Sequence, residues 1–342
     1  MDRALWWYRR ALSNEYVLIE SMIGWKFGGG KKRAVPIAAL LLLCLLWSLS
    51  SLRSDLLPQF ASNSSQTPPL ARQAFPLALL AAALSMLNVG RRSQWPRGKV
   101  LWASTLIGIG LFVVPAMLVF LAKNWVSDLT RVALFSLAPV FAVILEPYLG
   151  RLNVAQSTTG LLASLVALAG TLLVFPVDLP QSVQATCAFA AVVVATACVA
   201  GTNCWAVRVA SALPQKSILH FAAVAAASAT IGLLAASAIV EHRQWQSIRP
   251  SLLSAAWPAA VEMPALWLLF WLMRHMSATR MTTRFLLAPL IANLIGLFLL
   301  RPAVSLREGL GLLLVASGAG WLLFAKQDEP ELAGSSLKLD FD

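Results

Sequence analysis

The sequence predicts an all-α integral membrane protein, with ten transmembrane helices arranged as two inverted five-helix repeats. Three observations predict it. Of the 342 residues 58% are hydrophobic and 12% charged, where an ordinary soluble domain carries about 25% charged residues, and the mean hydropathy is +0.73. The apolar residues fall into runs bounded by charge, Pro or Gly, each near the length of about 20 residues that crosses a hydrocarbon core. The chain also resembles itself at a fixed offset of 150 residues. Ten spans use roughly 200 residues, which leaves too little between them for a folded extramembrane domain.

Residues 1–33 mix aromatic, aliphatic and basic side chains in the manner of a helix lying on the inner membrane surface; an unstructured leader is the other reading. Lys31, Lys32 and Arg33 then precede an apolar run, as in a signal peptide, but no Ala-x-Ala-like cleavage site follows. The run is therefore taken as the first retained helix, Ala34 to Leu52. Further helices are expected at Ala74 to Val89, Val100 to Ala122, Arg131 to Leu149 and Ser157 to Phe175, completing a first repeat over residues 34–182. The second repeat, 183–326, holds Val183 to Val207, Ile218 to Val240, Ser251 to Met273, Met281 to Leu300 and Gly309 to Ala325. Residues 327–342 form a polar tail. Asn63-Ser64-Ser65 matches a glycosylation sequon in the longest outer loop, a triplet that arises readily by chance.

With a cytoplasmic N-terminus, 18 of the 27 Lys and Arg residues lie in cytoplasmic segments and eight outside, with Arg284 inside a span. The positive-inside rule therefore puts both termini in the cytoplasm of a multi-pass protein in a bacterial-type inner membrane. The net charge of +12 comes from these flanking residues and not from a basic patch, so nucleic acid is not an expected partner. Cys44, Cys187, Cys198 and Cys204 all lie in apolar runs with no CxxC and no nearby histidine. Neither a metal site nor a disulfide scaffold is expected, and no cofactor is implied.

At the 150-residue offset Phe135, Leu137, Ala138, Pro139 and Ala142 align with Phe285, Leu287, Ala288, Pro289 and Ala292. Thirteen identities fall within about 40 residues, among them Arg151 with Arg301 and Gly170 with Gly320. Five helices is an odd number, so the second copy enters the bilayer from the opposite side. Inverted repeats of this kind place substrate sites near the midplane between the halves and support alternating access.

Three stretches resemble the EamA-like family of the drug/metabolite transporter superfamily. Leu46-Trp47-Ser48-Leu49-Ser50-Ser51-Leu52-Arg53 looks like its first helix, and Leu137-Ala138-Pro139-Val140-Phe141, running on to Gln156, Gly160 and Gly170, looks like its fourth and fifth. Ala200-Gly201-Thr202-Asn203-Cys204-Trp205-Ala206 is similar to the opening of its second repeat. The family often has Gly-Glu at the end of the fourth helix, where this chain has Gly150-Arg151. The resemblance implies a ten-helix carrier of small metabolites, commonly an exporter, with a central cavity lined by the first four helices of each half. It brings Trp47 into the candidate pathway.

Ionisable side chains deep in a span cost about 2.5–3.5 kcal/mol each on insertion scales, which marks them as functional candidates. Glu262 sits mid-span between Pro258 and Pro264, where a disturbed helix exposes both a charge and free carbonyls; pairing with a neighbouring helix is the structural alternative. Arg284 is the natural partner of Glu262 or of a substrate carboxylate or phosphate, unless its stem snorkels to the headgroups. His220 offers a group that titrates near neutrality, or an interfacial histidine with no such role. Glu146, before Pro147, is either a gate residue or an interfacial carboxylate facing Arg151. Asn88, Asn203 and Asn293 can bond a substrate or tie helices together. Trp267 lies five residues from Glu262, where it can contact a planar or cationic substrate or serve the aromatic belt. Small-residue pairs Ala163 with Ala167 and Ala316 with Gly320 suit close packing or a homodimer contact.

The leading expectation is a secondary carrier of a small polar metabolite, a water-soluble partner reached from the lipid bilayer's two faces. No GxxxxGK[ST] occurs, so ATP hydrolysis by this chain is not expected. A membrane-embedded lipid or glycan transferase using Glu262 or His220 as base is the alternative from another class, although the chain has no HExxH and three histidines in all. A flippase of a lipid-linked sugar is a third reading. The chain is not expected to be an enzyme.

Overall fold

The structure is a computed structural model that describes residues 34–56, 68–90, 95, 97–149, 154–214, 217–242, 252–300 and 305–324. The N-terminal segment 1–33, the tail, the sequon, Arg151 and Arg301 lie outside the described residues. The chain divides into two compact units, Met1–Ala38 and Ala39–Asp342. Of the first, the described residues are the opening turn of one helix; the second contains the rest of that helix and all later ones.

Among the described residues every regular element is helical. In order these are α1 (Ala34–Leu56), α2 (Pro69–Gly90), α3 (Lys99–Gly108), a π-helical turn (Ile109–Val113), α4 (Val114–Ala122), α5 (Asp128–Phe135), α6 (Ala138–Leu145), a 3-10 turn (Pro147–Leu149) and α7 (Val154–Val174). Then come α8 (Val183–Ala212), α9 (Ile218–Val240), α10 (Leu252–His275), α11 (Ala278–Thr282), α12 (Arg284–Leu300) and α13 (Leu306–Phe324). Among the described residues seven stretches are long and apolar enough to cross a membrane: Pro69–Gly90, Lys99–Ala122, Asp128–Leu145, Val183–Ala212, Ile218–Val240, Ala278–Leu299 and Leu306–Phe324. Ala34–Ser50 and Thr158–Val174 are shorter apolar helices. The chain is a multi-pass membrane protein on these lengths and compositions.

Helix boundaries depart from the expected ones where capping chemistry decides them. The second helix starts at Pro69 and not Ala74, because a proline suits the first helical turn. The stretch expected as one helix over 131–149 is two. It starts at Asp128, where Ser127 caps by accepting from the Thr130 N–H. It breaks at Ser136 and Leu137, because Pro139 has no N–H for the Phe135 carbonyl, and α6 ends before Glu146-Pro147. The ninth helix starts three residues early for the same reason, with Ser277 capping the Arg280 N–H, and is interrupted at Thr283. The tenth starts at Leu306 through a reciprocal box: Ser305 N–H donates to Glu308 Oε2 at 2.9 Å, and Glu308 N–H to Ser305 Oγ at 3.2 Å.

Helix α2 runs antiparallel along α9, pinned where the Leu70 N–H donates to the buried Glu241 Oε1 at 3.2 Å. Helix α3 also packs on α9, and α10 on α2; α8 lies against α4, α6 and α10, and α11 against α6 and α8. The π turn crosses both α8 and α9, where Cys198 Sγ donates to the Gly110 carbonyl at 3.5 Å. Helix α7 packs along α13 through small residues. A Cβ on Gly170 would lie 2.6 Å from Val315 N, and one on Gly318 would lie 2.7 Å from both Ala163 O and Ala167 N. Ala163 and Ala167 are buried in this contact as expected, whereas Ala316 is exposed and Gly320 has open space where its Cβ would be. The second stripe is therefore set by Gly311 and Gly318, one face round from the expected pair.

Backbone atoms cannot yield to a new methyl group, so Gly318→Ala should lower the melting temperature of the purified protein by several degrees, reflecting about 1–3 kcal/mol of overpacking. Gly320→Ala, with nothing to meet, should hold or raise it. Intrinsic tryptophan fluorescence on heating checks both, and equal behaviour of the two variants would contradict the packing described.

Candidate functional site

Arg284 opens α12 immediately after the break at Thr283 and is 2% exposed. Its Nη1 and Nη2 each donate to Asn203 Oδ1 at 3.3 Å, and Nη1 also reaches the Met281 carbonyl at 3.4 Å. Nε has no partner. Asn203, fully buried on α8, donates its Nδ2 to the Val199 carbonyl one turn back at 2.7 Å, which orients Oδ1 toward the guanidinium. Two aromatic rings bound the cation: Phe285 with its centroid 4.7 Å from Cζ and Trp47 at 5.6 Å. Phe285 in turn stacks on Phe135, centroids 5.8 Å apart and planes 28° from parallel.

Helix α1 organises this neighbourhood through the stretch the sequence singled out. Trp47 meets Arg284, and the buried Ser48 Oγ donates to the Ala288 carbonyl of α12 at 2.8 Å while also lying 2.7 Å from the Cys44 carbonyl. Ser50 Oγ donates to Glu262 Oε1 of α10 at 3.0 Å. Residues three apart share a helix face, so Trp47 and Ser50 carry Arg284 and Glu262 along one side of α1. The expected ion pair between those two charges does not form. Every acceptor Arg284 finds among the described residues is neutral, while the half-buried Glu262 takes the Ser50 hydroxyl.

The other expected residues lie apart. His220, 3% exposed on the first turn of α9, meets Trp95 edge-on at 5.8 Å, and among the described residues its Nε2 finds no partner. The antiparallel α2–α9 pairing brings the far end of α2 to this region, where Asn88 is buried and neither amide atom finds a partner among the described residues. Asn293 lines a cavity of roughly 10 Å³ with Thr171, Pro289 and Leu312, the volume of about one water and far from a metabolite site. Trp267 is half-buried on α10. Among the described residues no group of three His, Cys, Asp or Glu side chains could hold a metal ion.

Glu146 has a different place from either expected one. It is 2% exposed, and its carboxylate accepts the N–H groups of Ala278 and Thr279, each at 3.2 Å, together with the Thr279 hydroxyl. It thus closes the N-terminus of α11 from the end of α6, with Ser277 satisfying the next donor. The sequence signal for this was Ser277 alone; that a carboxylate 132 residues away supplies the rest is a tertiary fact.

No family model matches the chain, and no curated protein matches it. Among solved structures 27 chains match; one described only as "Crystal structure of protein" has a TM-score of 0.61 at 18% identity, covering 85% of this chain and 97% of that one. At that identity the likeness speaks for the fold alone.

Removing the Glu146 carboxylate leaves two buried backbone N–H groups unpaired. Glu146→Ala should therefore destabilise the protein by about 1–3 kcal/mol, and Glu146→Gln, which keeps one acceptor, by less. Thermal unfolding in detergent ranks the three proteins, and an unshifted Glu146→Ala midpoint would contradict the capping role.

Proposed function

We propose that this chain is a secondary-active carrier, an exporter of a small polar metabolite, that works by alternating access between two inverted five-helix repeats. The observation that carries the reading is a buried, aromatic-flanked cation held between halves, Arg284 of α12 against Asn203 of α8 and Trp47 of α1.

Taking α3 with α4, α5 with α6 and α11 with α12 as one crossing each, the helices make ten crossings, and a 150-residue shift carries each of the first five onto one of the second five. Several details support that symmetry. Ser127 and Ser277 cap equivalent helices with nearly the same backbone, φ −64°, ψ 156° and φ −68°, ψ 157°. Phe135 stacks on its own equivalent, Phe285, as residues beside a pseudo-twofold axis do. The contact of α3 with α9 has its counterpart in α10 with α2. The two halves differ at one latch: Glu146 holds the N-terminus of α11, while its equivalent position is Gly296 and Ser127 bonds Asp178 instead, at 2.8 Å. Similar halves held differently are what a rocking carrier needs. The resemblance to the EamA-like family of drug/metabolite transporters, an inner-membrane location and cytoplasmic termini belong to the same proposal.

In this mechanism the half-buried Glu262 takes up and releases a proton as its surroundings change, and that charge change alters the hold on substrate at Arg284. Reconstituted into proteoliposomes, the protein should move at least one labelled solute from a panel of amino acids, sugars, nucleosides and organic phosphates, faster under an imposed pH gradient. Glu262→Gln should lose the pH-gradient stimulation at least tenfold while remaining folded. Undiminished stimulation in the variant would remove Glu262 from the mechanism, and no protein-dependent flux of any panel member would count against the carrier.

A further inference from the structure

We infer that the Arg284 site takes an oxyanion, the carboxylate or phosphate of the transported solute, and that this anion completes the coordination the protein itself leaves unfinished. The inference rests on the carrier reading above and names the chemistry of its substrate.

A guanidinium has five N–H donors in a rigid fork suited to two-oxygen anions. Among the described residues those donors of Arg284 find two protein acceptors, Asn203 Oδ1 and the Met281 carbonyl, both neutral and both at the long end of hydrogen bonding, 3.3–3.4 Å; Nε–H finds none. Buried charges are otherwise paired or hydrogen-bonded, because removing them from water costs several kcal/mol after relaxation. Among the described residues those nearest the cation add no negative charge: Trp47 and Phe285 present ring faces, Cys44 a buried thiol on α1, and Glu262 bonds to Ser50. Snorkelling is excluded as the explanation, since the side chain is 2% exposed and held at its tip by Asn203. Asn203 is itself fixed by the Val199 carbonyl at 2.7 Å, so the amide holds the fork in place and leaves its Nε edge for a second acceptor. A bidentate oxyanion supplies the missing charge and acceptors in one group. Aromatic walls favour a solute with an apolar or planar body behind that anion.

The test is thermal unfolding of the full chain in detergent at constant ionic strength, titrated with succinate, with glycerol 3-phosphate, and with the uncharged succinamide and glycerol. A further arm compares micelles containing phosphatidylglycerol with micelles containing phosphatidylcholine, to separate a soluble oxyanion from a lipid headgroup. At least one oxyanion should raise the midpoint saturably, and its uncharged counterpart should not. Arg284→Gln should weaken the half-saturating concentration more than tenfold. Because that variant can fail to fold, Asn203→Asp is the second arm: it places a carboxylate on the cation, so it should raise the midpoint without ligand and abolish the further oxyanion shift. Equal shifts from charged and uncharged compounds, or an oxyanion shift retained in Asn203→Asp, would overturn the inference. Protein-dependent flux of an uncharged solute with no oxyanion effect would leave the carrier and remove the anion; an oxyanion shift lost in both variants, with no flux of that compound, would do the reverse.

Discussion

Arg284 sets the terms for the rest of the structure. Placing a guanidinium at 2% exposure among helices of a lipid-embedded bundle is costly, and among the described residues the cost is met by two neutral acceptors and two aromatic faces. Every element nearby serves that arrangement. The break at Thr283 starts α12 with Arg284 as its first residue, α8 presents Asn203, and α1 presents Trp47. Ser48 then ties α1 to the Ala288 carbonyl one turn further along α12, so that the aromatic wall and the cation stay in register.

Broken helices inside a membrane leave backbone groups that water cannot reach, and they require local replacements. Helix starts make the same demand, and Glu146 and Glu241 meet it at two of them: each is 2% exposed, and each gives its carboxylate to backbone N–H groups at the start of another helix, Ala278 and Thr279 in one case, Leu70 in the other. Negative charge at a helix N-terminus is also favoured by the aligned peptide dipoles, by about 0.3–2 kcal/mol. The carboxylates that a survey of buried charges would nominate for chemistry are, in these two cases, structural fastenings.

Hydrophobic runs in the sequence mark the long helical stretches to within about five residues, because exclusion from water and the thickness of the bilayer act along the chain itself; the breaks at Ser136–Leu137 and Thr283 leave no such mark. The stretch Trp47 to Ser50 lies beside Arg284 and Glu262, and Asn203 bonds Arg284. What the sequence did not reveal is pairing. Charge alone pairs Arg284 with Glu262, yet Arg284 meets Asn203, while Glu262 meets Ser50, since which helix faces which is a property of the bundle. The same holds for Glu146, whose partner is 132 residues distant. Helix starts at Ser127, Ser277 and Ser305 were readable as caps and would have corrected three boundaries; the apolar pattern used instead begins only where the hydrocarbon does.

Accessibility of Ser50 from the two membrane faces tests the central claim most directly. A Ser50→Cys variant lacking Cys44, Cys187, Cys198 and Cys204, reconstituted in oriented vesicles, would be exposed to an impermeant maleimide from one face and then from the other. Alternating access around the Trp47–Arg284–Glu262 region predicts labelling from both faces, slowed on one face whenever a transported solute holds the opposite opening. Labelling from one face only, or from neither, would contradict it.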